Sequence, residues 1–543
     1  MNRHLTYCIG AAGLSVLSGC GPKLGDKTNI LFIFTDDHAL NAITAYSDFF
    51  KSAGFETPNI DRLAKEGAIL LNNTCCNSIS GPSRAAVLTG KHSHANGYSN
   101  NGGAFNPNQF TFARALQEEG YHTGIIGKWH LGDTVNPQNA GFDDYKVLYG
   151  QGFYYNPEFR SSDKNGGKET INGYSTDIIT DLSMDWLKDA KKKNKPFLLM
   201  CQYKAPHRNW QPRMDQLDLY NGVTWPLPAD FKDSSQFGSL PSYVQDARMR
   251  VDGHMFPGWD MKLRPEEVPS NYLNMYTVTD NANDPGVTYE QNRLSEADRE
   301  KYWASYEKEN QAFFTANPTG RDQAIWKYQR YIRDYLRTVK ALDENIGRLL
   351  DFLDQQGLSN NTLVVYSSDQ GFFLGEKGFF DKRWMYKESF SMPFIARLPG
   401  VIPAGTQVDA LTQNIDFAPT FLEVAGIKAS EKDKIQGQSF LPWLKGEKPV
   451  TWRDALYYHF TESRKYEKEH WCPAHYGVFD GRYKLIRFYE DYATDAWELY
   501  DLQNDPDEST NIYNTASEEL KNSLKEKLKS LRSQYGDTTG AAL

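Results

Sequence analysis

The sequence predicts an α/β fold followed by a smaller C-terminal α+β subdomain with an antiparallel sheet. From Asn29 onward, short apolar runs alternate with amphipathic stretches, the pattern of strands and helices layered over one core. Several of these runs are apolar throughout and stop at polar or acidic residues, as central strands buried on both faces do. Beyond a Gly/Lys/Pro stretch at 444–449 the rhythm changes to closely spaced short strands and one charged helix. The 543 residues are 40% hydrophobic and 14% aromatic, enough for one large core and a smaller unit with no disulfide or metal staple.

The elements follow in order. Residues 30–34 (Ile-Leu-Phe-Ile-Phe), bounded by Asn29 and Asp36, form a strand. Thr57-Pro58 opens a helix through Leu63 and Ala64, with proline where its missing N–H costs nothing. Residues 67–71 form a strand, 82–88 begin a helix, 111–119 are helical, and 123–126 form a strand. Residues 175–191 are a strongly periodic helix, and 196–201 a buried strand. Residues 208–316, rich in Pro, Asp, Trp and Tyr, break the rhythm and read as an irregular insertion over one sheet face. A long helix at 322–356 follows, then strands at 362–367 and 393–397 and a helix at 416–425. Short strands at 456–460, 476–479, 483–488 and 498–501 and a helix at 518–532 complete the chain. The expected units are therefore a catalytic domain over 24–445, with the insertion at 208–316, and a C-terminal subdomain over 446–543.

Residues 1–20 are a targeting segment: Arg3 and His4 precede an apolar run ending in Leu17-Ser18-Gly19-Cys20. Small residues before a cysteine are similar to a bacterial lipoprotein signal, which implies export with a lipid anchor at Cys20, in the periplasm or at the outer membrane or cell surface of a Gram-negative bacterium. No later stretch approaches the ~20 apolar residues of a spanning helix. Cys75, Cys76, Cys201 and Cys472 show no CxxC pair and read as buried thiols. The net charge of −9 speaks against nucleic acid as a partner. It also speaks, at first sight, against any anionic substrate.

Chemistry gathers at strand ends. Asp36 and Asp37 follow one apolar strand, and Asp369 and Gln370 follow another. Carboxylates at the C-terminal ends of sheet strands face the crevice where α/β folds bind ligands. Three carboxylates and an amide oxygen form a hard set suited to Ca²⁺ or Mg²⁺; the bland alternative is helix capping. Ser80-Gly81-Pro82-Ser83-Arg84, followed by Leu88-Thr89-Gly90-Lys91, is not a serine-hydrolase elbow, because glycines do not flank either serine as that motif requires.

That segment resembles the signature of the sulfatases of the alkaline-phosphatase superfamily, with every fixed position filled. The resemblance implies a large mixed central sheet flanked by helices, and oxidation of Ser80 to formylglycine by a radical maturase. It implies metal ligation by Asp36, Asp37, Ser80, Asp369 and Gln370, with Ca²⁺ the expected ion and Mg²⁺ an alternative. Gly127-Lys128-Trp129-His130 resembles the second signature, Ala205-Pro206-His207 the leaving-group histidine segment, and Phe380-Asp381-Lys382-Arg383 the second sulfate lysine. Catalytic roles accordingly fall to Ser80, Arg84, Lys128, His130, His207 and Lys382.

Gly150-Gln151-Gly152 and the segment from Asp369 to Gly378 are similar to one branch, the bacterial N-acetylglucosamine-6-O-sulfatases. That branch implies Asp381 and His475 as holders of sugar hydroxyls. Independently of it, aromatics such as Trp210 and Tyr154 are candidates to stack on sugar faces. The implied substrate is a 6-O-sulfated N-acetylglucosamine at the end of a mucin, keratan or heparan chain. Alternatives are a sulfatase acting on another sugar, a phosphatase or phosphodiesterase of the same superfamily, and a glycan-binding lipoprotein whose Ser80 stays serine. The phosphatase class generally uses two zinc ions and more histidine ligands, and only 11 histidines are present.

Overall fold

The computed structural model describes residues 28–237, 240–245, 247–264, 290–462, 472–490 and 495–543. The expected leader, Cys20 and residues 265–289 of the insertion lie outside the described residues. Ten strands make one sheet: β1 (Asn29–Thr35), β2 (Ala68–Leu70), β3 (His122–Gly127), β4 (Asp144–Leu148), β5 (Glu158–Ser161), β6 (Lys168–Thr170), β7 (Phe197–Gln202), β8 (Thr362–Ser368), β9 (Phe394–Arg397) and β10 (Thr406–Val408). Their spatial order is β10-β2-β9-β8-β1-β7-β3-β4-β5-β6. The centre, β8-β1-β7-β3-β4, is parallel, while β9 and β5 run antiparallel to their neighbours, so the sheet is mixed as expected.

β1 shows why this sequence forms a three-layer core. All seven of its residues are buried, and successive side chains point to opposite faces. Ile30, Phe32 and Phe34 enter one cluster with residues of helices α2 (Ser80–Thr89), α3 (Phe112–Glu118) and α7 (Phe417–Val424). Leu31 and Ile33 enter another with α1 (Pro58–Glu66), α4 (Ser175–Lys192) and α6 (Gly320–Gln355). Burial of each such side chain contributes about 1.5–3 kcal/mol.

Two departures from expectation have physical causes. β4, β5 and β6 were not anticipated. β4 reads Asp-Tyr-Lys-Val-Leu and β6 Lys-Glu-Thr, edge-region strands with partly exposed residues and no apolar run. The region 208–316 is also not irregular throughout: α5 (Glu296–Ala316) runs for 21 residues and buries Tyr302, Trp303, Tyr306 and Phe313 on its inner face.

The C-terminal unit is an antiparallel sheet of β11 (Leu456–Phe460), β12 (His475–Phe479), β13 (Tyr483–Phe488) and β14 (Ala496–Asp501), with helix α8 (Glu518–Tyr535). Its period-two pattern faces two cores. Leu456, Tyr458, Phe460, Ile486 and Phe488 pack into the core of the large sheet. Tyr457, Tyr476, Val478, Leu485 and Leu499 pack with Leu524 and Leu528 of α8. The four cysteines after Cys20 are free and buried, and no helix among the described residues is long and apolar enough to cross a membrane.

Candidate active site

Four adjacent parallel strands, β8-β1-β7-β3, end side by side, and each delivers functional groups immediately beyond its last residue. Asp36 and Asp37 follow β1, Asp369 and Gln370 follow β8, Lys128 and His130 follow β3, and His207 stands in the loop after β7. Gly127 makes the exit from β3 possible. It adopts φ +102, and a Cβ there would lie 1.8 Å from the Gln202 carbonyl oxygen. Lys128 N donates to that same oxygen at 2.7 Å, turning the chain across β7.

Ser80 is the first residue of α2 and is 1% exposed; its Oγ donates to Asp36 Oδ1 at 3.2 Å. One helical turn later Arg84 reaches three strand ends. Its Nε donates to Asp369 Oδ2 at 3.1 Å, its Nη2 to the Thr35 carbonyl at 3.2 Å, and its Nη1 to Gln202 Oε1. Ser83 lies on the same helix, and its hydroxyl donates to the Asp369 carbonyl while accepting from Asn414. The helix start is thereby fastened to the crest of the sheet.

The charges interlock. Lys128, fully buried, pairs with Asp36. Lys382 follows the short hairpin Phe373–Leu374/Phe380–Asp381 and donates to Asp37 Oδ1 and Oδ2 at 2.6 and 2.7 Å. Asp369 Oδ1 accepts from the backbone N–H of Asp37 and of Gln370, both at 3.1 Å. Burial pushes the Asp37 carboxyl up to about 8 despite Lys382, with Asp36 and Asp369 adding to the rise. Burial likewise raises Asp369, to about 6. At Asp36 burial is outweighed by Lys128, His207 and Arg84, which hold it well below the ordinary range. Burial pulls Lys128 down to about 8 against the pull of Asp36.

Three carboxylates crowded at one point with unequal proton affinities suit a divalent cation that would replace the lysine contacts. Two observations bear on the fit. Gln370 Oε1 is buried with no hydrogen-bond partner among the described residues, while its amide nitrogen donates to Asp37; a hard cation would supply what that oxygen lacks. Asp36, Asp37 and His207 bring ligand atoms within 4.8 Å of one another. His207 is the odd member: its Nδ1 lies 2.6 Å from the Arg208 carbonyl, its Nε2 lies 3.7 Å from Asp37 Oδ2, and a nitrogen donor suits a hard ion less than the neighbouring oxygens do.

Of the residues expected from sequence, Ser80, Arg84, Lys128, His130, His207, Lys382, Asp36, Asp37, Asp369 and Gln370 converge here. Asp381 joins them, at φ +78 and paired with Arg383 and with Lys382 at 3.7 Å. His475 does not fit the sugar-contact role expected of it. It is 0% exposed, its Nε2 accepts from Met385 N at 3.1 Å, and its Nδ1 donates to the Pro473 carbonyl at 2.7 Å. Rings of Tyr458, Phe460, Trp384 and Phe488 surround it, and burial pulls it down to about 3. Trp210 and Tyr154 are likewise fully buried and offer no face to a sugar. No role followed from sequence for Gln202, which lacks charge and stands outside the signatures, or for Gln151, which belongs to a branch-like segment; their contacts with Arg84 and Lys128 mark them.

A serine at a helix start, strand-end carboxylates and a three-cation clamp define a metal-assisted hydrolase of anionic esters on an alkaline-phosphatase-like sheet. Residues 28–427 match the family described as Sulfatase, and residues 375–534 the family described as N-sulphoglucosamine sulphohydrolase, C-terminal. The chain belongs to the sulfatase family. It is 41% identical to the N-acetylglucosamine-6-O-sulfatase of Bacteroides thetaiotaomicron, over 98% of this chain and 91% of that protein. It is 25% identical to the human N-acetylglucosamine-6-sulfatase, over 99% of this chain and 91% of that one. The solved structure of BT4656 in complex with its substrate D-glucosamine-2-N,6-O-disulfate superposes with a TM-score of 0.84 at 40% identity, covering 94% of this chain and 98% of that one.

Proposed function

We propose that this protein is an exo-acting carbohydrate sulfatase that hydrolyses 6-O-sulfate esters of N-acetylglucosamine, using formylglycine made from Ser80 and a Ca²⁺ ion. The observation that carries the chemistry is the convergence of Ser80 with Asp36, Asp37, Asp369 and the cations Arg84, Lys128 and Lys382 at one crest. The substrate assignment is supported by the activities for which the two N-acetylglucosamine sulfatases are named and by the 6-O-sulfated ligand of the matched complex.

Asp36, Asp37, Asp369 and Gln370 would hold the ion, and the ion with the modified Ser80 would supply an activated hydroxyl for attack at sulfur. The chain's own residues do the rest. Lys128, Lys382 and Arg84 stabilise charge developing on the sulfate oxygens, in a buried setting where such contacts are strong. Nδ1 of His207 donates to the Arg208 carbonyl, which fixes the ring; in its doubly protonated form Nε2 carries the proton that passes to the departing sugar oxygen. His130 stands beside Lys128 to support the modified Ser80 as sulfate is expelled. Asp381 is placed to select among sugar hydroxyls.

Sulfate release from 6-sulfated N-acetylglucosamine, compared with galactose 6-sulfate, tests the substrate; equal turnover on the two would overturn it. Peptide mass spectrometry of protein from its native host tests Ser80, whose conversion removes two hydrogens. We further propose export with a lipid anchor at Cys20, under which Cys20→Ala protein would be recovered from the soluble rather than the membrane fraction.

A further inference from the structure

We propose that Gln151 is a positioning residue for the sulfate clamp: one amide aims the Lys128 ammonium and fixes the tautomer of His130. The proposal rests on the sulfatase reading above. Gln151 lies in a turn closed by Gly152 N donating to the Tyr149 carbonyl at 3.0 Å. Gly150 and Gly152 adopt φ +58 and +74, and a Cβ on Gly152 would lie 2.6 Å from the end of the Leu148 side chain, so larger residues in this turn would be strained. Gly150 N donates to Asp133 Oδ1 at 2.9 Å, which fastens this turn to the loop carrying Lys128 and His130.

The side chain then makes two contacts. Its Oε1 accepts from Lys128 Nζ at 2.7 Å, and its Nε2 lies 2.9 Å from His130 Nε2. An ammonium has hydrogens and no lone pair, so the amide oxygen must face Lys128. The amide nitrogen therefore faces His130 and donates. His130 Nε2 is left as the acceptor, which places the ring proton on Nδ1. That Nδ1 is buried and has no hydrogen-bond partner among the described residues. On the lysine, Gln151 takes one N–H direction and Asp36 another; a cation that replaced the Asp36 contact would leave two for sulfate oxygens. Lys128 is fully buried whereas Gln151 is exposed, so this amide forms the solvent-facing lip above the lysine.

The test pairs ring spectroscopy with kinetics. Histidine rings labelled with ¹⁵N report the tautomer directly, with the His130 signals assigned from their loss in His130→Gln. The wild type should show His130 protonated at Nδ1. Gln151→Glu keeps an acceptor toward Lys128 but cannot donate, so His130 should switch to protonation at Nε2. Gln151→Ala should release the ring into a mixture. In the mature enzyme Gln151→Ala should lower kcat by about 10- to 100-fold, the scale of a mispositioned group, with a smaller change in KM and an unchanged melting temperature. His130 signals and kcat that both match the wild type in the two variants would overturn the proposal. A wild-type enzyme that releases no sulfate from 6-sulfated N-acetylglucosamine would overturn the substrate assignment instead, and the ring signals would still decide the role of Gln151.

Discussion

The crest of the large sheet and the C-terminal sheet both bury charged and polar side chains, yet they treat them in opposite ways. In the C-terminal sheet the groups are satisfied. Glu498 on β14 accepts from the hydroxyls of Tyr243, Tyr386 and Tyr500 at 2.7, 2.8 and 3.0 Å, and both nitrogens of His475 are taken by backbone. At the crest, like charges are forced together, Asp37 is pushed up to about 8, and Gln370 Oε1 and His130 Nδ1 are left without partners among the described residues. In these two regions, complete pairing accompanies architecture, and crowded like charge with unpaired groups accompanies a place prepared for a ligand. Titratable residues of the same kind thus divide by what surrounds them.

The sharpest break of this contrast is Ser80→Ala, which removes the hydroxyl on which the chemistry depends. Activity should fall by about 10³-fold or more, with the fold retained by circular dichroism. Lys382→Ala follows, removing one cation of the clamp at a cost of about 10²–10³ in kcat in a sulfate-release assay. Chelation of the metal should abolish turnover, and added Ca²⁺ should restore it.

Metal removal also has a pH signature. The folded pKa of Asp37 lies above its unfolded value, so its contribution to stability is present at low pH and lost as pH rises through about 8. The melting temperature of metal-free protein should therefore drop across that window, and Ca²⁺ should raise it most on the alkaline side. A metal-induced shift that shrinks with rising pH would contradict the crowding of carboxylates at the crest.

Across the contrast, Glu498→Ala should act on stability alone. It strands three tyrosine hydroxyls, at about 1–3 kcal/mol for each that stays buried and unpaired, while kcat of the folded fraction stays at the wild-type value. The smallest effect is expected for His475→Phe. Its ring fits the aromatic surroundings, and loss of the Met385 N–H partner costs about 1–3 kcal/mol without a change in kcat. A selective loss of activity on the sugar in that variant would place His475 back in the site.

Much of this was legible in the sequence because buried parallel strands write themselves as uninterrupted apolar runs. Residues 30–34 and 362–367 announced both their own position and the acidic residues beyond them. β4 to β6 were hidden because strands toward a sheet edge need fewer apolar residues. α5 was hidden although Tyr302, Tyr306, Asn310 and Phe313 keep helical spacing, since Pro- and Trp-rich neighbours masked it. Within the site, strand-end carboxylates follow from pattern, whereas Lys382, held on a two-residue hairpin, came from resemblance alone. Gln151 stood in a branch-like segment, but its contacts came from geometry. His475 shows the converse: a histidine at a strand start looks the same in sequence whether it faces a sugar or a ring of aromatic side chains.

The pairing of β1 with β8 joins Thr35 to Ser368, the first strand of the sheet to one more than 300 residues later. Contacts of such sequence separation form late, because the intervening chain must first be ordered. Until β8 docks, Asp36 has no Asp369 beside it and Arg84 lacks its main carboxylate partner. In the closed sheet Ser80 is 1% exposed. A macromolecule that altered this serine would therefore have to reach it before the sheet closes.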